Sequence, residues 1–581
     1  MSRLALKAIQ AAAGGVGEAV YVDDVFSTYV YAGNSSTNQI DNGIDLAGEG
    51  GLIWLKKRSG GTTGADHSLI DTERGRLVRL KSNTTNAELS FSQLDSFNSD
   101  GFTLSGSGEK ANLSGKDYAS WTFRKQPGFF DVVTYTGDGT AGRTVSHNLG
   151  SVPGFMVVKK LNSTSDFTTY HRSMGATKYA PLNDRDAFPT GTSIWNDTAP
   201  TATQFTVGDN TRMNNSGDTY VAYLFAHDAQ EFGTDSDEAI IKCGSYTGNG
   251  STTSNDIDIG FEPQWVLIKN TTSNNQWYIF DVMRGIVSEP GGDAYLLANT
   301  SGAEVSSENY IDILPNGFSL RDDNAAVNAS SSTYIYMAIR RPHKPASEFA
   351  ATDLFAVNNS NTAGGNFFES GFPVDMAIRR FVGVSDGPYV ASRLSGENYL
   401  LTSSTAAEVS DASSVFDNME GWASGWGTYA THYSWMFRRA PGFFDVVAYT
   451  GTNSGTQNVN HNLGVTPELM IGKGRDYATN WYVFVNGVTD SGFLQSNGSF
   501  SNSYRIGTPT STTFEVRGIN STATSLNGPH DYIAYLFATV AGISKVGTYS
   551  GTGSNVDVDC GFTSGARFVL VKRTDSTGAW Y

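Results

Sequence analysis

The stretch RKQPGFFDVVTYTG at Arg124–Gly137 returns almost unchanged as RRAPGFFDVVAYTG at Arg438–Gly451, 314 positions later. Each copy joins an apolar run rich in Val and Phe to a Tyr-Thr-Gly segment, a pattern typical of a strand that enters a tight turn. Self-similarity over so long a distance indicates that whole structural units have been duplicated. The repeat therefore decides the fold.

A shorter period lies inside the long one. Comparable aromatic strands close successive units, namely YASWTF ending at Phe123, YVAYLF at Phe225, YIYMAI at Ile339, YSWMF at Phe437 and YIAYLF at Phe537. Their ends are 102, 114, 98 and 100 residues apart. A parallel β-helix repeats about every 20 to 30 residues and a propeller blade about every 40 to 50, so both folds are excluded. Each repeat is long enough to be a domain.

Every unit combines short strands with turn residues. At the start of a unit, an aromatic strand leads into a Gly turn. An apolar strand that ends in a basic residue follows, as in LIWLKK, FMVVKK, WVLIK and FVLVKR. No helical periodicity extends across a unit, and short strands between Gly, Asn, Ser and Asp are typical of sandwiches. The sequence therefore predicts an all-β fold, a tandem array of antiparallel β-sandwich (jelly-roll-like) domains with a short N-terminal helix.

The repeat also predicts domain boundaries. We expect an N-terminal helical attachment segment at 1–20, sandwich units one to five at 21–126, 127–230, 240–345, 350–440 and 441–541, and the start of an incomplete unit six at 544–581. Units four to six replay units one to three. The units are expected to be separate beads on a stiff array, with spacers at His227–Ala239 and Arg341–Phe349. Because unit six matches unit three only up to its Trp-Tyr pair, we expect the natural chain to continue.

Composition limits the classes of function. The 581 residues are 39% hydrophobic and 12% aromatic, which is enough for packed cores, and the formal net charge is -17. No basic patch is available to follow a phosphate backbone, so nucleic acid is not an expected partner. The two cysteines are expected to be free and buried, no stretch is long enough for a membrane span, and no cofactor is expected.

The N-terminal SRLALKAIQAAAGG differs from the repeats. Ser2 is suited to cap a helix, while Leu6, Ile9 and Ala13 fall on one face and two glycines can end it. So short a helix is marginal in water and needs a partner surface. We interpret Leu4, Leu6 and Ile9 as an attachment element, with a disordered terminus as the alternative.

Motifs that carry chemistry are few. There is no Walker A loop, GxSxG elbow, HExxH or CxxC, so neither catalytic residues nor metal ligands are assigned. His147 and His461 recur at one position of the repeat and are interpreted as turn or strand-end histidines. The acidic run around Asp235, Asp237 and Glu238 lacks EF-hand spacing and is interpreted as a solvated loop.

Two tryptophans stand among glycines in GWASGWG. Trp422 occupies the place of the core aromatics Phe102 and Phe318 in other units, so a core role is expected. Trp426 has no such counterpart. For Trp426 the alternatives are a core role and a flat ring for glycan stacking.

Several of these segments together resemble a known group of proteins. APGFFDVVAYTG, VSHNLGSVPGFMVVKK and YIYMAIRRPHKP are similar to a repeat of uncharacterised domains in virion proteins of marine tailed bacteriophages, especially cyanophages. The resemblance covers nearly the whole chain, and unit four departs most from it. It implies a virion structural protein of the tail-fibre kind, fixed to the particle through its N-terminus, and it identifies no catalytic residue.

The residues and the resemblance lead to three hypotheses. The first is a phage tail fibre, made in the host cytoplasm and assembled into the virion, whose N-terminus binds other virion proteins and whose distal domains bind a host surface glycan or protein. A homo-oligomer, a trimer by analogy with phage fibres, would raise avidity. The alternatives are a capsid-bound head fibre or decoration protein, and a tailspike-like polysaccharide depolymerase, for which no convincing pair of carboxylates is found.

Overall fold

A computed structural model describes residues 19–59, 65–288, 292–359, 367–383, 387–424, 432–488, 490–501, 505–518 and 525–581. The long elements of this part are all strands, and every strand pair is antiparallel; the only α-helices in it are the single turns α1 (Thr192–Trp195) and α2 (Thr211–Asn214). The predicted all-β fold of antiparallel sheets is confirmed. The predicted N-terminal helix falls almost wholly on residues 1–18, outside the described residues.

Unit one contains nine strands in three sheets. They are β1 (Phe26–Ala32), β2 (Asn38–Asp41), β3 (Gly51–Lys57), β4 (Ser68–Asp71), β5 (Val78–Arg79), β6 (Leu89–Ser90), β7 (Leu94–Asn98), β8 (Gly101–Leu104) and β9 (Asp117–Arg124). The main sheet has the order β1-β9-β3-β4, a second sheet has the order β2-β8-β7, and β5 pairs with β6. The opening strand β1 therefore pairs with the closing strand β9.

Units two and three repeat this plan. Unit two contains β10 (Phe130–Thr136), β11 (Arg143–Ser146), β12 (Phe155–Lys160), β13 (Phe167–His171), β14 (Ala180–Pro181), β15 (Gln204–Val207) and β16 (Thr219–Phe225). Unit three contains β17 (Ile241–Thr247), β18 (Asp256–Asp258), β19 (Pro263–Asn270), β20 (Trp277–Asp281), β21 (Tyr295–Leu297), β22 (Ile311–Leu314), β23 (Gly317–Leu320) and β24 (Thr333–Arg340). Their main sheets have the orders β10-β16-β12-β13-β14 and β17-β24-β19-β20-β21. The smaller sheets are β11-β15 and β18-β23-β22.

Units four and five follow the same order. Unit four contains β25 (Phe355–Asn358), β26 (Phe367–Glu369), β27 (Met376–Phe381), β28 (Tyr389–Ser392), β29 (Asn398–Leu401), β30 (Val409–Ser410), β31 (Gly421–Ala423) and β32 (His432–Phe437). Unit five contains β33 (Phe444–Thr450), β34 (Thr456–Asn460), β35 (Leu469–Gly474), β36 (Tyr482–Val485), β37 (Gly492–Phe493), β38 (Thr513–Arg517) and β39 (Asp531–Phe537). Their main sheets are β25-β32-β27-β28-β29-β30 and β33-β39-β35-β36-β37, beside the pairs β26-β31 and β34-β38. Residues 544–581 form no strand. Short 3₁₀ turns cover Val22–Asp24, Ala346–Glu348, Ala351–Asp353 and Arg393–Ser395.

The main sheets are buried on both faces. Successive side chains of a strand point to opposite faces. In β3, Ile53 and Leu55 pack inside the sandwich of unit one, whereas Leu52 and Trp54 belong to a second core that also contains residues of units two and three. Burial on both faces explains why LIWLKK reads as a continuous apolar run.

The second core shows that units one to three are not separate beads, so that expectation is wrong. The Trp121 ring of unit one lies 5.7 Å from Trp54 and 6.5 Å from Trp265 of unit three. Its indole N–H donates to Oδ2 of Asp281, also in unit three, at 3.0 Å. Phe123 contacts Phe225 of unit two at 5.4 Å. A sheet with two apolar faces cannot leave one of them in water, so three units share one interior.

A lysine at the end of each apolar strand connects the three units. Lys56 Nζ donates to the carbonyls of Ser301 and Gly302 in unit three. The equivalent Lys159 of unit two donates to the Thr85 carbonyl of unit one at 2.9 Å, and Lys269 of unit three donates to the Arg185 carbonyl of unit two at 3.0 Å. The three head-to-tail contacts form a closed cycle, which we call the first ring.

The two predicted spacers are packed rather than free. Phe232, within the first spacer, is 1% exposed and belongs to the shared core of the first ring. Arg341, at the start of the second, is buried between units three and five, with Nη2 3.0 Å from Oδ1 of Asp445 and Nε 3.0 Å from Oε2 of Glu262. Arg439 Nη1 lies 2.7 Å from the other Glu262 oxygen. The spacer interpretation is therefore wrong, because these segments carry buried side chains.

The prediction for the cysteines holds in part. Both Cys243 and Cys560 are free, and burial raises the pKa of the Cys243 thiol well above its usual value. Cys560 is partly exposed, so its predicted burial is wrong. The residues around it form no strand that could cover it.

The ring lysines predict a loss of stability on substitution. Burial lowers the pKa of Lys56 to about 8, so at neutral pH its ammonium group is still mainly charged and donates to the neighbouring carbonyls. Lys56→Met would leave the carbonyls of Ser301, Gly302 and the buried Ala65 without this donor, and we expect the free energy of unfolding to fall by about 1–3 kcal/mol. Urea unfolding measures the change. Lys110→Met, at an exposed site of the same unit, is the control, and equal effects of both substitutions would contradict the prediction.

Buried histidines predict sensitivity to acid. His171 of unit two is fully enclosed, its Nε2 lies 3.2 Å from the Tyr336 carbonyl of unit three, and burial, with the nearby Arg172 and His227 contributing, lowers its pKa to about 3. The unfolded chain takes up this proton near pH 6.5, so the contribution of His171 to stability is complete above that pH and falls as the pH drops from about 6.5 to 3.

We therefore expect the unfolding temperature to fall as the pH drops from 7 to 5. His171→Gln should make this dependence of the unfolding temperature on pH less steep. Differential scanning calorimetry over this range measures both. His530→Gln, at a site that is only partly buried, serves as the matched control. An unchanged slope in His171→Gln would show that other groups set the acid sensitivity.

Candidate functional site

Two sets of predicted site residues cannot be placed. The attachment residues Leu4, Leu6 and Ile9 belong to residues 1–18, and Trp426 belongs to residues 425–431; both segments lie outside the described residues. Ser424 and His432, which flank the second segment in sequence, are described and buried.

The repeated histidines are structural parts of a turn. His147 Nδ1 accepts the Leu149 N–H at 3.3 Å, and His461 Nδ1 accepts the Leu463 N–H at 3.2 Å. Burial lowers the pKa of both imidazoles. Each ring thus satisfies a buried backbone donor where a strand ends, in agreement with their interpretation as strand-end histidines.

The acidic run does not form a metal site in the described part of the chain. Glu238 lies 2.6 Å from the guanidinium group of Arg340 and 3.2 Å from Nε2 of the buried His343, so its carboxylate is already paired with a cation of this chain. Among the residues that the structure describes, no three His, Cys, Asp or Glu side chains are grouped as metal ligands would be. No helix in the same residues is long and apolar enough to span a bilayer.

Trp422 occupies the core, as predicted. Its side chain is 2% exposed and stacks on Phe368 and Phe416, with ring centroids 5.6 Å and 5.4 Å away. The indole N–H donates to the Ser434 hydroxyl at 2.9 Å. This tryptophan is therefore fixed inside the sandwich of unit four.

The interior of unit four differs from that of its copies within the apolar strand. The pairing of each apolar strand with its closing strand makes Arg379 equivalent to Leu55, Val158 and Ile268. Those three residues face the interior of their own units, and Arg379 is likewise only 2% exposed. A guanidinium group therefore stands where three other units have an aliphatic side chain.

Aromatic and polar groups surround this guanidinium. Its carbon lies 4.6 Å from the Phe381 ring centroid and 5.7 Å from that of Tyr389, and it donates to the Ser424 hydroxyl. Burial lowers the pKa of Arg379 to about 10, although the carboxylate of Asp411 partly offsets this effect. A recess in the sandwich is lined by Arg379, Tyr389, Ala391, Tyr399, Asp411, Ser414, Trp422 and Ser424. We call it the Arg379 recess.

A buried histidine lies next to the Arg379 recess. His432 is 4% exposed, its ring lies 5.7 Å from Phe381, and neither ring nitrogen has a hydrogen-bond partner among the described residues. Burial and the positive charge of Arg379 lower its pKa. The recess has a volume of about 10 Å³, which is room for one water molecule, so its cation, carboxylate and aromatic rings form a polar cluster inside unit four.

Sequence reasoning missed Arg379, although a signal was present. The other apolar strands have their basic residues at the end, as in LIWLKK. In MAIRRF of unit four the first basic residue, Arg379, comes one position earlier in the strand. Because strand side chains alternate, this earlier basic residue must face the interior.

Replacing the buried guanidinium tests what it does for the fold. Arg379→Leu restores the side-chain type of the other units and removes a desolvated charge, so we expect the free energy of unfolding to be unchanged or to rise by up to about 2 kcal/mol. Thermal unfolding measures the change. The reciprocal Leu55→Arg in unit one is the control and should be strongly destabilising; a large loss of stability in Arg379→Leu would assign the arginine a structural role.

The geometry of the repeat has a counterpart among known families. A family model described as a domain of unknown function, DUF7483, matches residues 22–342 and 438–581. Residues 343–437, which the match leaves out, contain unit four with its Arg379 recess. A search of curated proteins finds no match. Since the two matched segments make up well over half of the sequence, the chain belongs to the DUF7483 family.

Proposed function

We propose that this chain is a structural protein of a bacteriophage virion, namely a tail fibre anchored by its N-terminus that presents its later domains to the host cell. The observation that carries the proposal is the first ring, in which three copies of one sandwich close a cycle of contacts around a shared core. Repeating a domain in this way builds size and surface.

The sequence resemblance to virion proteins of marine tailed phages supports the same function. The segments that carry it recur in the ordered parts of the repeat: PGFFD leads into β10 and β33, and FMVVKK forms β12. Parts of the segments that carry the resemblance therefore lie in the main sheets.

Host adsorption is the part of the proposal that concerns unit four. This unit lies outside the family match and is the one that departs in its interior, which is expected of a domain adapted to a particular ligand. We propose that Trp426, whose segment is flanked by Ser424 and His432, stacks on a host glycan. Several weak contacts of this kind would combine into a useful avidity.

The proposed partners follow from this arrangement. Leu4, Leu6 and Ile9 would bind a neighbouring protein of the virion, and the later units would bind a glycan or protein of the host surface. We also propose a trimeric assembly, by analogy with other phage fibres. Sedimentation of the purified protein measures the oligomeric state directly.

Electron microscopy of immunogold-labelled particles tests the proposed function. Separate antibodies against unit one and unit five should both label the phage tail, with the unit one label nearer the particle, because the N-terminus is the proposed anchor. Label on the capsid would replace the tail fibre by a head fibre. Particles without label, and without peptides of this chain in mass spectrometry, would refute a virion protein; antibodies against an unrelated host protein control for background.

A further inference from the structure

The second triplet of units repeats the contacts of the first ring only in part. Lys473 of unit five donates to the Thr405 carbonyl of unit four at 3.2 Å, as the ring lysines do. Lys572, in residues 544–581, donates to the Gly498 carbonyl of unit five at 2.8 Å. Two of the three contacts that would form a second ring are therefore present.

The third contact would start from unit four, and there the ring position is open. Arg380 is equivalent to Lys56. Arg380 pairs with Tyr433 and Lys56 pairs with Ala119, and these two partners occupy corresponding positions of the closing strands. Lys56 is fully buried under the carbonyls of unit three, whereas Arg380 is exposed. Tyr433, the strand partner of Arg380, is 38% exposed, and its counterpart Ala119 is fully buried.

A tryptophan of the closing strand shows the same difference in burial between units one and four. Trp435 is equivalent to Trp121, whose indole N–H donates to Asp281 of unit three at 3.0 Å. Trp121 is fully buried, but Trp435 is only half-buried, and the ring that lies over it is Phe568 at 6.4 Å. Both side chains that contact the neighbouring unit in the first ring are thus uncovered in unit four.

Much of the apolar run at residues 568–571 is also exposed, although the Phe568 ring packs against Phe355, Trp435 and Phe437. FVLV at these positions corresponds to FMVV of β12, which is buried and pairs with β13 on one side and β16 on the other. In residues 568–571 no strand forms, Val569 is 62% exposed and Leu570 is 39% exposed. Among the described residues, the backbone groups of residues 568–570 have no backbone partner, whereas Val571 pairs with Tyr581 through two hydrogen bonds. An exposed apolar surface next to unpaired backbone groups is typical of a site for strand addition.

We propose that Arg380, Tyr433, Trp435 and residues 568–571 form a docking surface for one kind of occupant, the second half of a DUF7483 repeat. The first ring shows what such a half supplies. Residues 279–340 of unit three provide Asp281 for the tryptophan, the carbonyls of Ser301 and Gly302 for the basic residue, and the closing strand β24 for the apolar strand β19.

The chemistry of the docking surface matches this occupant better than a generic apolar partner. Arg380 requires carbonyl or carboxylate acceptors, and the Trp435 indole requires one acceptor for its N–H. The backbone groups of residues 568–570 require a strand partner. A closing strand with its preceding turn satisfies all three needs at once, and its docking would extend the shared core of the second triplet, which already contains Phe437 and Tyr535.

A fusion protein tests the proposal. It carries a copy of residues 279–340 after Tyr581, so that the copy follows Trp580 and Tyr581 as Ile279 follows Trp277 and Tyr278. Hydrogen exchange measured by mass spectrometry reports on residues 568–572. We expect their exchange to slow at least about tenfold in the fusion relative to the 581-residue chain, because docking pairs their amides.

Two controls make the outcome decisive. Exchange in β3 should be slow and equal in both proteins, which shows that the first ring is folded. Arg380→Ala should speed exchange at residues 568–572 in the fusion and leave it unchanged in the 581-residue chain. Equal exchange of these residues in the fusion and the parent would overturn the docking surface, and slowed exchange that Arg380→Ala does not alter would overturn its ring-type geometry.

Discussion

The contact between a basic strand end and the carbonyls of the next unit determines how the repeats assemble. Lys56, Lys159 and Lys269 each end an apolar strand, and each donates to backbone carbonyls of a different neighbour. An ammonium group withdrawn from water needs such acceptors, and carbonyls at a turn need donors. Each unit therefore fixes the position of another, and after three such contacts the cycle returns to its start.

This arrangement follows from sheets that are apolar on both faces. One face of β3 is covered by the second sheet of its own unit, and the other face must be covered by other units. Apolar burial has no preferred direction, but the hydrogen bond from the Trp121 indole to the Asp281 carboxylate does. Apolar burial brings the units together, and the polar contacts select which sides meet.

Much of the fold could be predicted from the sequence, but the grouping of the units could not. The period near 100 residues gave the sandwiches, and the core role of Trp422 followed from its place in the repeat. The shared core was missed because a strand has the same apolar sequence pattern whether the second sheet of its own unit or a neighbouring unit buries it. The early basic residue in MAIRRF could have been noticed in the sequence, but its interior position follows only from the strand register. The Arg379 recess also depends on Tyr389, Tyr399 and Asp411, which come together only in the folded chain.

The closed cycle of three also constrains how such a gene can change length. Inserting or losing a single unit would leave one lysine without carbonyls and one double-faced sheet against water, whereas a gain of three preserves every contact type. Duplication is therefore tolerated in steps of three units. The 314-residue offset between the two PGFFD segments has that step size.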